Sequence, residues 1–237
     1  DSLLALEFVT ANKSLSHPVG LFVVADGMGG HEGGEIASGL LVQTLAAQAD
    51  GLLAAAKPGA ALDAGQWLTD AIQVANAAVY ERARTTETDM GTTVVAALVI
   101  GNEATIAHVG DSRAYRVHAG GIEPLTVDHS LVESMVASNQ ITREEARGHP
   151  QANVIYRTIG DKRQVVVDLD RVTLGPDESL LLCSDGLNGM MRDEAIQALI
   201  APASSPQAAC DALVSAANAA GGEDNISVIL VRLEEMV

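Results

Sequence analysis

Apolar positions change texture along the chain, and those changes are the first guide to its architecture. Residues 22–25 form an unbroken apolar run that ends at Asp26, and Gly27, Gly29, Gly30, Gly33 and Gly34 follow closely. Ile36, Leu40 and Thr44 then recur at helical spacing, as do Leu68, Ile72, Ala75 and Val79, which predicts two amphipathic helices in the first third. From 92 to 118 the segments TTVVAALVI, ATIAHVG and SRAYRVH succeed one another with short polar or glycine breaks, the pattern of antiparallel strands in a meander. SLVESMVASNQITREEARGH predicts two short helices, with Thr142 and Glu145 spaced as a capping box. Strands return in VVVDLDRVTL and SLLLCSD, a helix spans 206–219, and NISVILVRL supplies a last strand.

Helices and strands cluster separately, and several strands are almost wholly apolar, so both faces of a sheet are expected to be covered. This points to an α+β sandwich. AAAKPGAALDAG at 54–65 is read as an inter-helix loop, and no repeat or low-complexity tract divides the chain. Residues 1–237 are therefore expected to form one domain, for which 48% hydrophobic composition is ample. No apolar run reaches the roughly 18 residues of a membrane span, and nothing resembles a signal peptide, so a cytoplasmic protein without a membrane partner is expected. Cys183 and Cys210 have neither metal-ligand nor disulfide spacing and are read as buried thiols. A net charge of −17 and a pI near 4.5 repel phosphate backbones, which argues against nucleic acid as a partner.

The position of some acids is more informative than their number. FVVADG and LLLCSDG each end an apolar strand in aspartate followed at once by glycine, at Asp26 and Asp185. HVGDS places Asp111 after a short strand, and GGEDNIS places Asp224 and Asn225 just before the final one. A lone Asp-Gly pair is more often a turn. Four such acids on neighbouring strands would meet at one sheet edge, where two unit charges ~4 Å apart at an effective dielectric near 20 repel by about 4 kcal/mol. Divalent cations relieve that repulsion, and an all-oxygen ligand set selects Mg²⁺ or Mn²⁺ over zinc. Two such ions can lower the pKa of a bridging water and hold it for in-line attack on phosphorus, with no protein nucleophile.

Other candidates are weaker. Asp128 and Asp161 are read as turn residues, and Asp168 and Asp170 as the solvated face of an alternating strand. His31 follows the glycine turn, where it either reaches a phosphate or donates a proton, or merely caps the helix or faces solvent. His108 is read as a hydrogen-bonded core histidine, whereas His17, His118, His129 and His149 carry no functional signal. GMGGHEGGE lacks the Lys-Ser/Thr of a Walker loop, and a dinucleotide fingerprint would need glycine where Glu32 stands.

ADGMGGHEGGE, DMGTTVVA, HVGDSRAY, LLCSDGL and EDNISVILV, in this order and spacing, resemble the bacterial branch of the protein phosphatase 2C, or PPM, family. The resemblance spans nearly the whole chain. It implies a four-layer α-β-β-α sandwich with two central antiparallel sheets, and hydrolysis of phosphoserine and phosphothreonine in proteins with Mn²⁺ or Mg²⁺. Carried over by motif, Asp26 would bridge two core metals, the Gly27 carbonyl would bind one, and Asp185 and Asp224 would bind the other. Asp111 would hold an extra metal with Asp185, Asn225 would orient Asp224, and 130–165 would form a helical flap beside the active site. Asp1-Ser2 resembles the tail of the family's opening motif, making Asp1 a further ligand and placing a phosphate-binding arginine upstream. Met28 stands where many eukaryotic members have a histidine, leaving His31 or a metal-bound water to supply the leaving-group proton. The implied partners are phosphorylated proteins and the serine/threonine kinases that the enzyme opposes. Two rivals share these motifs: a catalytically silent scaffold, and a sporulation-type phosphatase acting on an anti-sigma antagonist.

Overall fold

The computed structural model describes residues 1–12, 15–29, 31–55 and 62–233. Two antiparallel sheets stand at its centre. The first contains β1 (Ser2–Asn12), β2 (Leu15–Ala25), β5 (Val94–Ile100), β6 (Glu103–Val109) and β9 (Asp168–Thr173), in the order β1-β2-β5-β6-β9. The second contains β7 (Arg113–His118), β8 (Gly121–Pro124), β10 (Ser179–Cys183) and β11 (Val228–Arg232), in the order β11-β10-β7-β8, while β3 (Gly27–Met28) and β4 (Gly91–Thr92) form a small ribbon. Helices α1 (His31–Ala47), α2 (Ala49–Ala55) and α3 (Ala64–Thr86) belong to the first sheet's side, and α6 (Asp185–Asn188), α7 (Asp193–Ile200) and α8 (Pro206–Ala219) to the second's. The short helices α4 (Leu131–Ala137) and α5 (Arg143–Arg147) fall within the expected flap, and α5 carries the predicted Thr142–Glu145 capping box.

Alternation along each strand builds the layers. In β2, Leu21, Val23 and Ala25 face Leu41, Leu68 and Ile72 of the helices, whereas Phe22 and Val24 face the other sheet. In β10, Leu180 and Leu182 join that inter-sheet core, and Leu181 and Cys183 pack beneath Ile196 and Leu213. β2 and β10 are thus buried on both faces, which accounts for their continuous apolar sequences. The result is the expected α-β-β-α sandwich.

The structure departs from the expected meander at one instructive place. β5 and β6 pair, but β7 leaves their sheet and pairs with β8 and β10. The chain changes sheets at Gly110, whose φ of +108° favours glycine, so Asp111 and Ser112 lie at the crossing. β1 was not apparent from the sequence: exposed Leu3 next to half-buried Leu4 blurs the alternation that Leu4, Leu6 and Phe8 otherwise show. Half of the loop expected at 54–65, residues 56–61, lies outside the described residues, and its ends belong to α2 and α3; Asp63 caps α3 by accepting the Gly65 and Gln66 amides. Cys183 is buried as expected, but Cys210 is only half-buried, because its side of α8 meets the rim of the core.

Candidate active site

The ends of β2 and β10, the crossing after β6 and the approach to β11 bring Asp26, Asp185, Asp111 and Asp224 to one edge of the sandwich, near enough to interact electrostatically. Local packing fixes each one. Asp26 donates its amide to the Thr93 hydroxyl at 3.0 Å, and its carbonyl accepts from the Thr93 amide and the Thr92 hydroxyl, both at 2.8 Å. Thr93 Oγ1 lies 2.6 Å from Ser112 Oγ, which joins the Asp26 turn to the Asp111 crossing. On the opposite side, Ser184 donates to the Asn225 carbonyl at 3.2 Å and accepts the Ser227 amide at 3.0 Å, so the turns bearing Asp185 and Asp224 are stitched together. Asp224 itself accepts the Asn225 amide at 2.7 Å.

Glycine follows Asp26 because the first turn of α1 presses on it. A Cβ at Gly27 would lie 2.1 Å from the Gly34 carbonyl oxygen, a distance no side chain tolerates. The strand–turn–helix therefore holds the Gly27 backbone close beside the acids. Asp1 joins the same edge, since Ser2 pairs with Ala25 and the register sets Asp1 beside Asp26.

Among the described residues, no cation forms an ion pair with these carboxyls. Burial, followed by the charge and hydrogen bond of Asp185 and by Asp111 and Asp224, pushes Asp26 up to about 8. Burial, then Asp185 and Asp128, pushes Asp111 up to about 7, although Arg113 pulls the other way. Asp185 is raised chiefly by burial, with Asp224 and Asp128 adding to it and a hydrogen bond with Asp26 partly offsetting them. One oxygen of Asp185 and one of Asp1 are buried with no hydrogen-bond partner. Buried acceptors without donors and carboxylates that repel one another are what hard divalent cations satisfy, so the residues present fit an oxygen-ligated metal centre. A cavity of about 150 Å³ opens from Asp111 and Asp185 toward Arg143 and Arg147 of the flap. An open groove of about 630 Å³ runs along the other flank, past Met28, Met90 and Tyr156.

The flap is moored to this edge. Arg147 donates to the carbonyls of Asn188 and Met191, and Arg192 pairs with Glu144. Asn76 accepts the Gly160 amide at 2.9 Å and donates to the Lys162 carbonyl, and Thr92 and Ile159 exchange backbone hydrogen bonds.

Three sequence readings need correction. Asp128 is no simple turn residue: its two oxygens receive Arg113 at 2.8 and 2.7 Å in a largely buried pair. Asp168 is half-exposed, in part as a solvated face implies, but it is also tied inward: it accepts from Arg157 at 2.6 Å and bonds His129 at 3.1 Å. These bonds outweigh its burial and hold it below the usual carboxylate range. His129, which carries no sequence signal, is buried at the centre of that group. His108 is the expected core histidine, bonded to the Val127 carbonyl at 3.0 Å. Asp161 is exposed beside Lys162, in keeping with a turn. α1 opens at His31, but the side chain of His31, and with it the expected proton donor, lies outside the described residues. Thr93, Ser112 and Ser184 were missed as supports, since only the fold shows which backbones they bridge.

The ligand-type atoms of His108, His129 and Asp168 also lie within 4.8 Å of one another. Their hydrogen bonds argue against a metal there. His129 Nδ1 accepts the Gly110 amide at 3.0 Å, so the neutral ring carries its proton on Nε2, where it donates to Asp168 and leaves no free lone pair. Burial foremost holds this imidazole below its usual pKa, and hence neutral. The rings of His108 and His129 stack, with centroids 4.7 Å apart and planes at 9°.

Comparison with known proteins places this arrangement. The protein phosphatase 2C family model matches residues 10–220. The serine/threonine phosphatase stp of Listeria welshimeri is 36% identical over 216 residues, covering 89% of this chain and 83% of its own length. The crystal structure of the serine/threonine phosphatase Stp1 from Staphylococcus aureus superposes with a TM-score of 0.84 at 32% identity, over 98% of this chain and 94% of that one. The catalytic domain of the serine/threonine protein phosphatase PstP in complex with two manganese ions does so with a TM-score of 0.77 at 30% identity, over 97% and 96% of the two chains. Two-layered sheets, acids gathered at one edge and a family match across most of the sequence converge on one conclusion: the chain belongs to the protein phosphatase 2C family.

Proposed function

We propose that the chain hydrolyses phosphoserine and phosphothreonine in proteins, with Mn²⁺ or Mg²⁺ as cofactor. The observation that carries this reading is the set of mutually repelling, partly orphaned carboxyls at the end of β2, the crossing after β6 and the start of α6. Asp26, Asp185 and Asp224, with the Gly27 carbonyl and with Asp1 beside Asp26, would hold two ions, and Asp111 with Asp185 a third. Such ions supply electrophilic stabilisation of phosphoryl oxygens and acidify a water to serve as nucleophile.

The chain's own residues have the complementary tasks. Thr93 and Ser184 hold the acid-bearing turns in fixed relation, and Asn225 keeps Asp224 oriented through its amide. Among the described residues, no side chain at this edge is set up as a nucleophile. Burial pushes the Cys183 thiol up to about 12, and the hydroxyls of Thr93, Ser112 and Ser184 are engaged with one another or with backbone. Water is left as the attacking group. His31 remains the proposed proton donor to the leaving serine or threonine.

The open groove beside Met28 suits an extended protein segment better than a small metabolite, and the flap at 130–165 borders the acids on the other side. The substrates we propose are phosphorylated proteins, opposed by a serine/threonine kinase, with residues 1–237 acting as one catalytic domain. Among the described residues no helix is long and apolar enough to cross a membrane, and we place the activity in the cytoplasm. The test is phosphate release from a phosphothreonine peptide with Mn²⁺, with Mg²⁺ and after chelation. Metal-dependent release is expected. A folded, metal-binding protein that releases none would leave only a scaffold role.

A further inference from the structure

We propose that His129 is a positioning residue, a two-ended strut that ties the Asp111 crossing to the far end of the flap so that the two are set together. The proposal deepens the phosphatase reading and rests on it for its functional consequence. One end of the strut holds the crossing: the His129 amide donates to the Gly110 carbonyl at 2.9 Å, and Nδ1 accepts the Gly110 amide at 3.0 Å. Gly110 is thus gripped on both of its backbone groups immediately before Asp111. The other end holds the flap's exit: Nε2 donates to Asp168 at 3.1 Å, and the second oxygen of Asp168 takes Arg157 at 2.6 Å. The His129 carbonyl also accepts the Tyr156 amide at 2.9 Å. Both ends of the segment from 129 to 168 therefore close on one buried ring, and the stacked His108, itself anchored to the Val127 carbonyl, fixes the plane of that ring.

An apolar filler would pack in the same space but would leave the Gly110 amide without its side-chain acceptor and Asp168 without its buried donor. Imidazole is suited here because its two nitrogens face opposite ways and do opposite work.

That division makes the strut separable by substitution. In His129→Asn the side-chain oxygen falls near the place of Nδ1 and keeps the Gly110 bond, but it cannot reach Asp168. In His129→Gln the amide reaches toward Asp168 and abandons Gly110. The experiment uses the full chain: Mn²⁺ binding by calorimetry, hydrogen exchange over 130–165, and kcat and KM for a phosphothreonine peptide against p-nitrophenyl phosphate. His129→Gln is expected to weaken Mn²⁺ binding at its weakest site by ~10–100-fold, the usual effect of losing a support behind a metal ligand, with little change in flap exchange. His129→Asn is expected to do the reverse, speeding flap exchange and raising KM for the peptide more than for the small ester. Asp168→Ala cuts the strut at its half-exposed end and should reproduce the His129→Asn profile even if the buried substitutions unfold. If the Asn and Gln variants share one profile, or Asp168→Ala leaves the flap and KM unchanged, His129 is only a packing residue and the proposal is overturned. A wild type without metal-dependent release would instead refute the phosphatase reading, and the contrast in metal binding and exchange would still decide the strut.

Discussion

Two groups of acids lie near each other in this molecule, and they are treated in opposite ways. Asp128 and Asp168 are each met by an arginine, and Asp168 by a histidine as well, so their charge is answered within the protein. Asp26, Asp111 and Asp185 lie close enough to repel one another, their pKa values are raised chiefly by burial and then by that repulsion, and an oxygen of Asp185 is left without a donor. Asp128 is as buried as Asp111, and Asp168 is half-exposed, so burial alone does not divide the groups; their partners do. A satisfied acid is part of the structure, whereas acids kept together without counter-charge store a need that only a ligand outside the chain can meet.

The sharpest way to break the comparison is to neutralise one acid from each group. Asp185→Asn should reduce turnover by well over the ~10–100-fold expected for a mere supporting group, while the metal-free protein melts at a higher temperature because a repelling charge is gone. Asp128→Ala should do the opposite to stability. It strands the largely buried Arg113 and should cost about 3 kcal/mol in urea unfolding, at the low end for a buried pair because some solvent reaches the guanidinium.

A pH series sharpens the same contrast. Asp26 and Asp111 bind protons more tightly in the folded than in the unfolded chain, so between the ordinary carboxylate pKa of 3.8 and their folded values of about 8 and about 7 the folded state carries more protons. Their contribution to stability therefore falls as pH rises through that window. The melting temperature of the metal-free protein should drop from pH 6 to pH 9, and saturating Mn²⁺ should remove most of that drop. Asp168, whose pKa is lowered, adds stability that disappears only as pH falls through the acid range. The smallest effect is expected at the exposed Arg192–Glu144 pair on the flap: Arg192→Ala should leave the melting temperature unchanged within error.

The acids of the unsatisfied group were legible in sequence because each ends an apolar run or borders one, and because aspartate followed by glycine at a strand end is a local pattern. The helix at 206–219 and the Thr142–Glu145 capping box were legible for the same reason. The satisfied group was not. Asp128 meets Arg113 across 15 residues and His129 meets Asp168 across 39, and both pairings depend on the chain changing sheets at Gly110. The local pattern instead suggested a meander, which would have kept β7 in the first sheet. Partners in space, unlike strand ends, have no signature along the chain.

The central claim is that the unsatisfied acids exist to hold divalent cations. Its most direct test is calorimetric titration of Mn²⁺ into the metal-free protein at pH 7 in two buffers of different ionisation enthalpy. The account predicts binding accompanied by proton release, because Mn²⁺ displaces protons held by Asp26 and Asp111, and predicts that Asp185→Asn weakens the binding sharply. Absence of binding, or binding with the same heat in both buffers, would contradict it.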